Sequence, residues 1–104
     1  MRFRCGVTRY RPEVVVYTRA RCGLCRRAEA TVAREARRAR ITHVDIDTDE
    51  RLIERYGVRV PVIVVDGREV AEFEVAGGTV RRAVRAARRS GGGGPALGSS
   101  GPEA

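Results

Sequence analysis

Three consecutive valines, Val14-Val15-Val16, lead into Tyr17-Thr18, and Cys22-Gly23-Leu24-Cys25 follows within four residues. An apolar run of this kind, bounded by Pro12 and the polar Arg19-Ala20-Arg21, predicts a strand, Glu13–Thr18, buried on both faces. Beyond the cysteines, Leu24, Ala28, Val32 and Ala36 recur every four residues, among Arg26, Arg27, Arg34, Arg37 and Arg38. That spacing predicts an amphipathic helix of about four turns, from Leu24 to about Ala39. Ile41–Asp47 then sets Val44 and Ile46 against polar neighbours, the pattern of a half-exposed strand. Strand, helix and strand make a βαβ unit, whose parallel strands need a right-handed crossover. The cysteine pair stands at its first strand-to-helix junction.

The remaining elements follow from caps and turn residues. Thr48 is placed to cap a short helix, Asp49–Tyr56, with acidic Asp49 and Glu50 in its first turn and Gly57 at its end. Val60-Pro61-Val62-Ile63-Val64-Val65 reads as a strand with a proline at its start. Asp66-Gly67 is a two-residue hairpin signal, and Arg68–Phe73 is the returning strand. Gly77-Gly78 breaks the chain, and Thr79 is placed to cap a last helix to about Arg89, with Val80, Ala83, Val84 and Ala87 facing inward. The predicted fold is α/β and thioredoxin-like, a four-stranded mixed sheet flanked by helices in the order β-α-β-(α)-β-β-α. The domain spans residues 13–89, behind an irregular leader, 1–12. Residues 90–104 (SGGGGPALGSSGPEA) are expected to form a disordered tail. At 104 residues the chain holds one core.

Aromatic residues make up 5% and tryptophan is absent, so the core must be built from Val, Ile, Leu and Ala. No segment approaches the roughly 20 apolar residues of a membrane span, and no membrane partner is expected. The N-terminal MRFRCGVTRYRPE carries charge without an apolar stretch, unlike a secretory signal, so a cytoplasmic location is expected. A close cysteine pair in that compartment is more often catalytic or metal-binding than structural. The net charge of +8 comes from 21 Arg and no Lys, with eight Arg against two Glu in residues 19–40 and five Arg in 79–89. Such a balance invites a nucleic-acid reading. The Arg runs lack interleaved aromatics, however, and the Arg/Ala/Gly/Val bias matches GC-rich codon usage. They are read as solvated helix faces, and no nucleic-acid partner is expected.

Cys22 is the candidate nucleophile. A helix N-terminus presents unpaired amides and the positive end of the dipole, which favour a thiolate. Making the thiolate dominant at neutral pH takes roughly 3.4 kcal/mol. A helix end supplies about 0.3–1 kcal/mol when exposed and up to about 2 when partly buried. Arg19, Arg21, Arg26 and a hydrogen bond from the Cys25 thiol are expected to add to it. Cys25, one turn further in, is the candidate resolving thiol, closing a Cys22–Cys25 disulfide by exchange. Alternative readings are a soft-metal-binding CxxC module without redox turnover, a static disulfide, or inert thiols. Cys5 is read as an idle thiol in the leader, and His43 as a lone exposed side chain. Asp45, Asp47, Asp49 and Glu50 are read as a solvated helix-capping segment, and no metal site is expected.

From Val14 to Arg89 the chain resembles the glutaredoxin-like branch of the thioredoxin superfamily. The resemblance rests on the strand ending Val16-Tyr17-Thr18, Arg19 before the first cysteine, Cys22-Gly23-Leu24-Cys25, the Val60-Pro61 step and Gly77-Gly78. It implies a cis Pro61, a nucleophilic Cys22, and a groove formed by Val60, Pro61, Gly77, Gly78 and Thr79. That groove would accept glutathione or another small thiol as co-substrate, with Arg19 near a glutathione carboxylate. No bound cofactor is implied. The expected substrate is a protein or small-molecule disulfide, and the reductant is glutathione, another thiol or a thioredoxin-reductase-type flavoprotein. The chain departs from the family pattern in Gly23-Leu24 for Pro-Tyr, in Arg59 for Thr, and in lacking an acid in Thr79-Val80-Arg81.

Overall fold

A computed structural model describes residues 10–90. The leader through residue 9, including Cys5, and the tail from 91 to 104 lie outside the described residues. The elements are β1 (Glu13–Thr18), α1 (Gly23–Glu35), β2 (Arg40–Asp45), a 3₁₀ turn (Ile46–Thr48), α2 (Glu50–Tyr56), β3 (Val62–Val65), β4 (Arg68–Glu72) and α3 (Thr79–Arg89). The sheet runs β2-β1-β3-β4. β1 and β2 are parallel, whereas β3 is antiparallel to both β1 and β4. This is the expected four-stranded mixed α/β sheet.

Alternate residues of the two central strands supply two core clusters, one on each face of the sheet, rather than the single core expected from the chain's length. Val14 and Val16 of β1 and Ile63 and Val65 of β3 pack against Ala28, Val32 and Ala36 of the α1 segment and Val80 and Val84 of α3. The opposite face joins Val62 and Val64 to Ile46 and Tyr56, with Val15, Tyr17, Leu52, Ile53 and Val60 partly covered. There the Tyr17 and Tyr56 rings stack with centroids 4.3 Å apart. A period of two on strands buried on both sides explains why these runs read as continuous valine and isoleucine.

Several boundaries differ from the sequence expectation, each for a local reason. α1 stops at Glu35 rather than near Ala39, and Ala36 closes it through its N–H to the Val32 carbonyl. β2 must begin opposite Glu13, where the Arg40 N–H meets the Pro12 carbonyl, so the chain has to leave the helix early. β2 ends at Asp45, whose side chain accepts from the Asp47 N–H and opens the 3₁₀ turn that buries Ile46. Asp49, not Thr48, caps α2 by accepting from the Arg51 N–H at 2.8 Å. β3 and β4 are shorter than expected, beginning at Val62 and ending at Glu72.

Asp66 and Gly67 both have positive φ, 48° and 85°, as a tight hairpin with matching strand twist requires. The Asp66 carboxylate also accepts from the Glu13 N–H and the Tyr10 hydroxyl, holding residues 10–13 to the hairpin. Among the described residues no helix is long and apolar enough to cross a membrane.

Candidate functional site

Cys22 is the N-cap of α1, in extended backbone (φ −113°, ψ 106°), and its sulfur accepts from the Cys25 N–H at 3.0 Å. A cap residue that is not yet helical leaves its side chain at the open helix end, where the first amides lack intrahelical partners. Cys22 and Cys25 form a disulfide with a Cα–Cα distance of 5.1 Å. Their environments differ: Cys22 is half-buried, whereas Cys25 is fully buried against the core. Of the pair, only Cys22 retains exposed surface. The first turn of α1 contains no acidic residue to oppose a thiolate.

The cations expected around Cys22 are differently engaged. Arg19 donates through Nη2 and Nε to the Asp47 carboxylate, at 2.8 and 3.2 Å, and through Nη1 to the Gly57 carbonyl at 3.1 Å. The Arg19 hydrogen bond holds the Asp47 carboxyl below its usual range and raises the guanidinium in turn. Arg19 is thereby a clamp between the β1–α1 loop, the 3₁₀ turn and the end of α2. Arg26 pairs with Glu29 at 2.8 Å and reaches the Arg19 carbonyl. Arg21, with φ of 60°, makes no ion pair among the described residues.

The Val60–Pro61 peptide is cis. Tyr17 pairs with Val62, so Val60 and Pro61 lie just past the C-terminal end of β1, on the sheet edge from which the cysteine loop leaves. Pro61 is buried, and its carbonyl accepts from the Phe73 N–H at 3.0 Å. The backbone N–H and C=O of half-buried Val60 have no partner among the described residues. Arg59 fastens this segment to β4 through Glu69 and Glu72, at 3.0 and 2.9 Å, and lies over the Tyr56 ring. Its hydrogen bond holds the Glu69 carboxyl below the usual range.

Gly77, Gly78 and Thr79 sit elsewhere. The N–H groups of Gly78 and Arg81 donate to the Glu35 carboxylate at 2.8 and 3.1 Å. Glu35 ends α1, 13 residues after Cys22, about 20 Å along the helix axis. The N-terminus of α3 therefore rests against the end of α1 far from the dithiol, and its anion cradle is filled by this chain's own carboxylate. Gly78, with φ of 88°, is the N-cap, and Thr79 is the first helical residue rather than the cap. Burial pushes the Glu35 carboxyl up, but the amides of Gly78 and Arg81 outweigh it and hold the group below its usual range.

Along α1 from Leu24, the residue before Cys25, runs a groove of about 370 Å³ lined by Leu24, Arg27, Ala28 and Thr31 of the helix and by the segment Phe73, Glu74, Val75 and Ala76. Phe73 is 44% exposed and held at φ 62°, a backbone region that a bulky side chain seldom adopts. Sequence reasoning missed it, because Phe73 read as the end of a regular strand. Among the described residues no group of three or more His, Cys, Asp and Glu is placed to hold a metal ion.

Residues 13–85 match the family model for the glutaredoxin-like domain (DUF836). A structural-genomics target protein from X. campestris is 34% identical, with a TM-score of 0.61 over 70% of this chain and 96% of that one. A protein from Nitrosomonas europaea, 23% identical, superposes with a TM-score of 0.62 over 71% of this chain and 92% of its own. A mutant thioredoxin from Halobacterium salinarum, 24% identical, gives 0.54 over 77% of each chain. The last two show the shared fold alone. Among curated proteins none matches this sequence. A thioredoxin-like fold that carries Cys22 and Cys25 at disulfide distance supports a redox-type role. On the match over residues 13–85, the chain belongs to the glutaredoxin-like domain family.

Proposed function

We propose that the protein is a dithiol–disulfide oxidoreductase with Cys22 as nucleophile and Cys25 as resolving thiol. The asymmetry of the pair carries this reading: one cysteine is partly exposed at a helix N-terminus and its partner is fully buried. In the reduced protein the Cys22 thiolate attacks one sulfur of a substrate disulfide and expels the other as a thiolate. Cys25 then loses its proton, and its thiolate attacks the Cys22 sulfur. The Cys22–Cys25 bond forms, and the second substrate thiolate leaves and takes up a proton. Two electrons pass from the protein dithiol to the substrate. An external thiol pair or a flavoprotein reductase returns them.

The unpaired backbone groups of Val60 suit an extended polypeptide flanking a substrate cysteine, in the manner of strand addition. The positions that the family resemblance assigns to glutathione are otherwise occupied, Arg19 by Asp47 and the α3 amides by Glu35. A protein disulfide in the cytoplasm, with electrons from a thioredoxin-reductase-type enzyme or a thiol other than glutathione, fits this arrangement better. Insulin reduction tests the reading, run once with NADPH and thioredoxin reductase and once with glutathione and glutathione reductase. Turnover is expected in the first system and weakly or not in the second. The proposal fails if neither system, nor a dithiol such as dithiothreitol, supports turnover above its uncatalysed rate.

A further inference from the structure

Two arginine runs some forty residues apart in the sequence meet in space. Arg34, Arg37 and Arg38, from the end of α1 and the turn after it, face Arg81, Arg85 and Arg88 of α3 across a concave surface of about 460 Å³. All are exposed except half-buried Arg88. Arg81, Arg85 and Arg88 follow at helical spacing and form a stripe along one side of α3. The single acid in the lining is Glu35. Its side chain is 5% exposed and committed to the Gly78 and Arg81 amides, with Arg81 Nη2 at 3.9 Å. The other five arginines make no ion pair among the described residues.

This arrangement works against the fold on its own. Like charges at i, i+4 repel, and Arg81 stands in the first turn of α3, at the positive end of its dipole. A ligand with several regularly spaced negative charges relieves both. The surface lacks the anchor that a protein partner would need: its one apolar residue, Val84, is buried. The large exposed apolar side chains among the described residues, Val58 and Phe73, lie outside it. Guanidinium forks pair two oxygens of a phosphate at once, and no aromatic lines the surface for base stacking.

We propose that this face binds the phosphodiester backbone of a nucleic-acid duplex without reading its sequence. The sequence expectation of no nucleic-acid partner rested on the lack of interleaved aromatics, which base stacking needs and backbone binding does not. The face lies at the end of α1 away from Cys22 and stands apart from the redox reading.

The test is fluorescence anisotropy of the full chain with two unrelated 20-base-pair DNA duplexes over a potassium chloride series. If six phosphates are neutralised, log K falls against log salt with a slope of about −5.4, alike for both duplexes. Arg38→Ala with Arg85→Ala is expected to bring the slope to about −3.6 and to weaken binding at least tenfold at about 50 mM salt. Arg51→Ala with Arg55→Ala removes the same charge from α2, on the opposite side of the sheet, and is expected to change neither. Absence of binding at 50 mM salt overturns the proposal, as does equal loss in both double variants, which would reduce the effect to net charge. Displacement by polyglutamate as effective as by unlabelled duplex also overturns it, in favour of an acidic protein surface.

Discussion

Two features of the helix end act on the Cys22 sulfur. The helix end offers up to about 2 kcal/mol toward the roughly 3.4 kcal/mol that a dominant thiolate needs. The Cys25 N–H, already 3.0 Å from the Cys22 sulfur, adds a hydrogen bond to a charged acceptor, worth about 1.5–3 kcal/mol. Both draw on the same unpaired amides of the helix end, so they are not summed, and both favour the thiolate independently of the arginines. That matters because Arg19 and Arg26 are tied to Asp47 and Glu29, and of these three expected cations only Arg21 makes no ion pair among the described residues. Cys22→Ser is expected to abolish disulfide turnover in the insulin assay. Cys25→Ser should keep the first step and accumulate a mixed disulfide on Cys22, visible as a substrate adduct by mass spectrometry. The dithiol was legible in the sequence because two cysteines and a strand-to-helix switch are local signals. Arg19 was legible as a residue of consequence but not in its role, since its partner Asp47 lies on a segment that only the fold brings near.

At the scale of elements, the docking of α3 depends on one carboxylate 43 residues upstream of the amide it accepts from. Local reasoning assigns the cap to Thr79, as it assigns that of α2 to Thr48. In both cases a neighbouring or distant acid does it, Asp49 for α2 and Glu35 for α3. A cap one residue away was within the resolution of the pattern; a cap supplied by another helix was not. Glu35→Ala leaves the Gly78 and Arg81 N–H groups without their acceptor and is expected to cost about 1–2 kcal/mol. In a domain of this size that lowers Tm by roughly 4–8 °C per kcal/mol. The pH dependence has a fixed sign. A carboxyl whose folded value lies below its unfolded one stabilises the fold above the ordinary carboxylate range. That stability is lost as pH falls from about 4.5 through the depressed folded value. Thermal melts between about pH 7 and pH 3 should show a shallower acid decline for Glu35→Gln than for the parent.

The whole molecule is a thin sheet with a core on each side, and its topology followed from the order of apolar runs and turns. Val14-Val15-Val16 announced a strand covered on both faces, Val60–Val65 announced a second strand, and Asp66-Gly67 announced the hairpin. Less legible was the return path after β4. Phe73–Ala76 lines the groove beside α1 before α3 begins, which carries Gly77-Gly78 away from the dithiol and gives the groove a mixed lining, with Arg27 and Glu74 among apolar side chains. A small domain with two thin cores tolerates little loss from either. Ile63→Ala, at a fully buried central position, is expected to cost about 2–5 kcal/mol in urea unfolding, a large share of such a domain's stability. Val58→Ala, at a side chain 87% exposed, should stay within about 0.5 kcal/mol.

The most direct measurement of the redox account is the rate of iodoacetamide alkylation of the reduced protein against pH, with Cys22 and Cys25 followed separately by peptide mass spectrometry. Cys22 is expected to react first, with a midpoint well below that of a free thiol, while buried Cys25 lags far behind. Equal rates at both cysteines, with a midpoint no lower than that of a simple thiol, would contradict it.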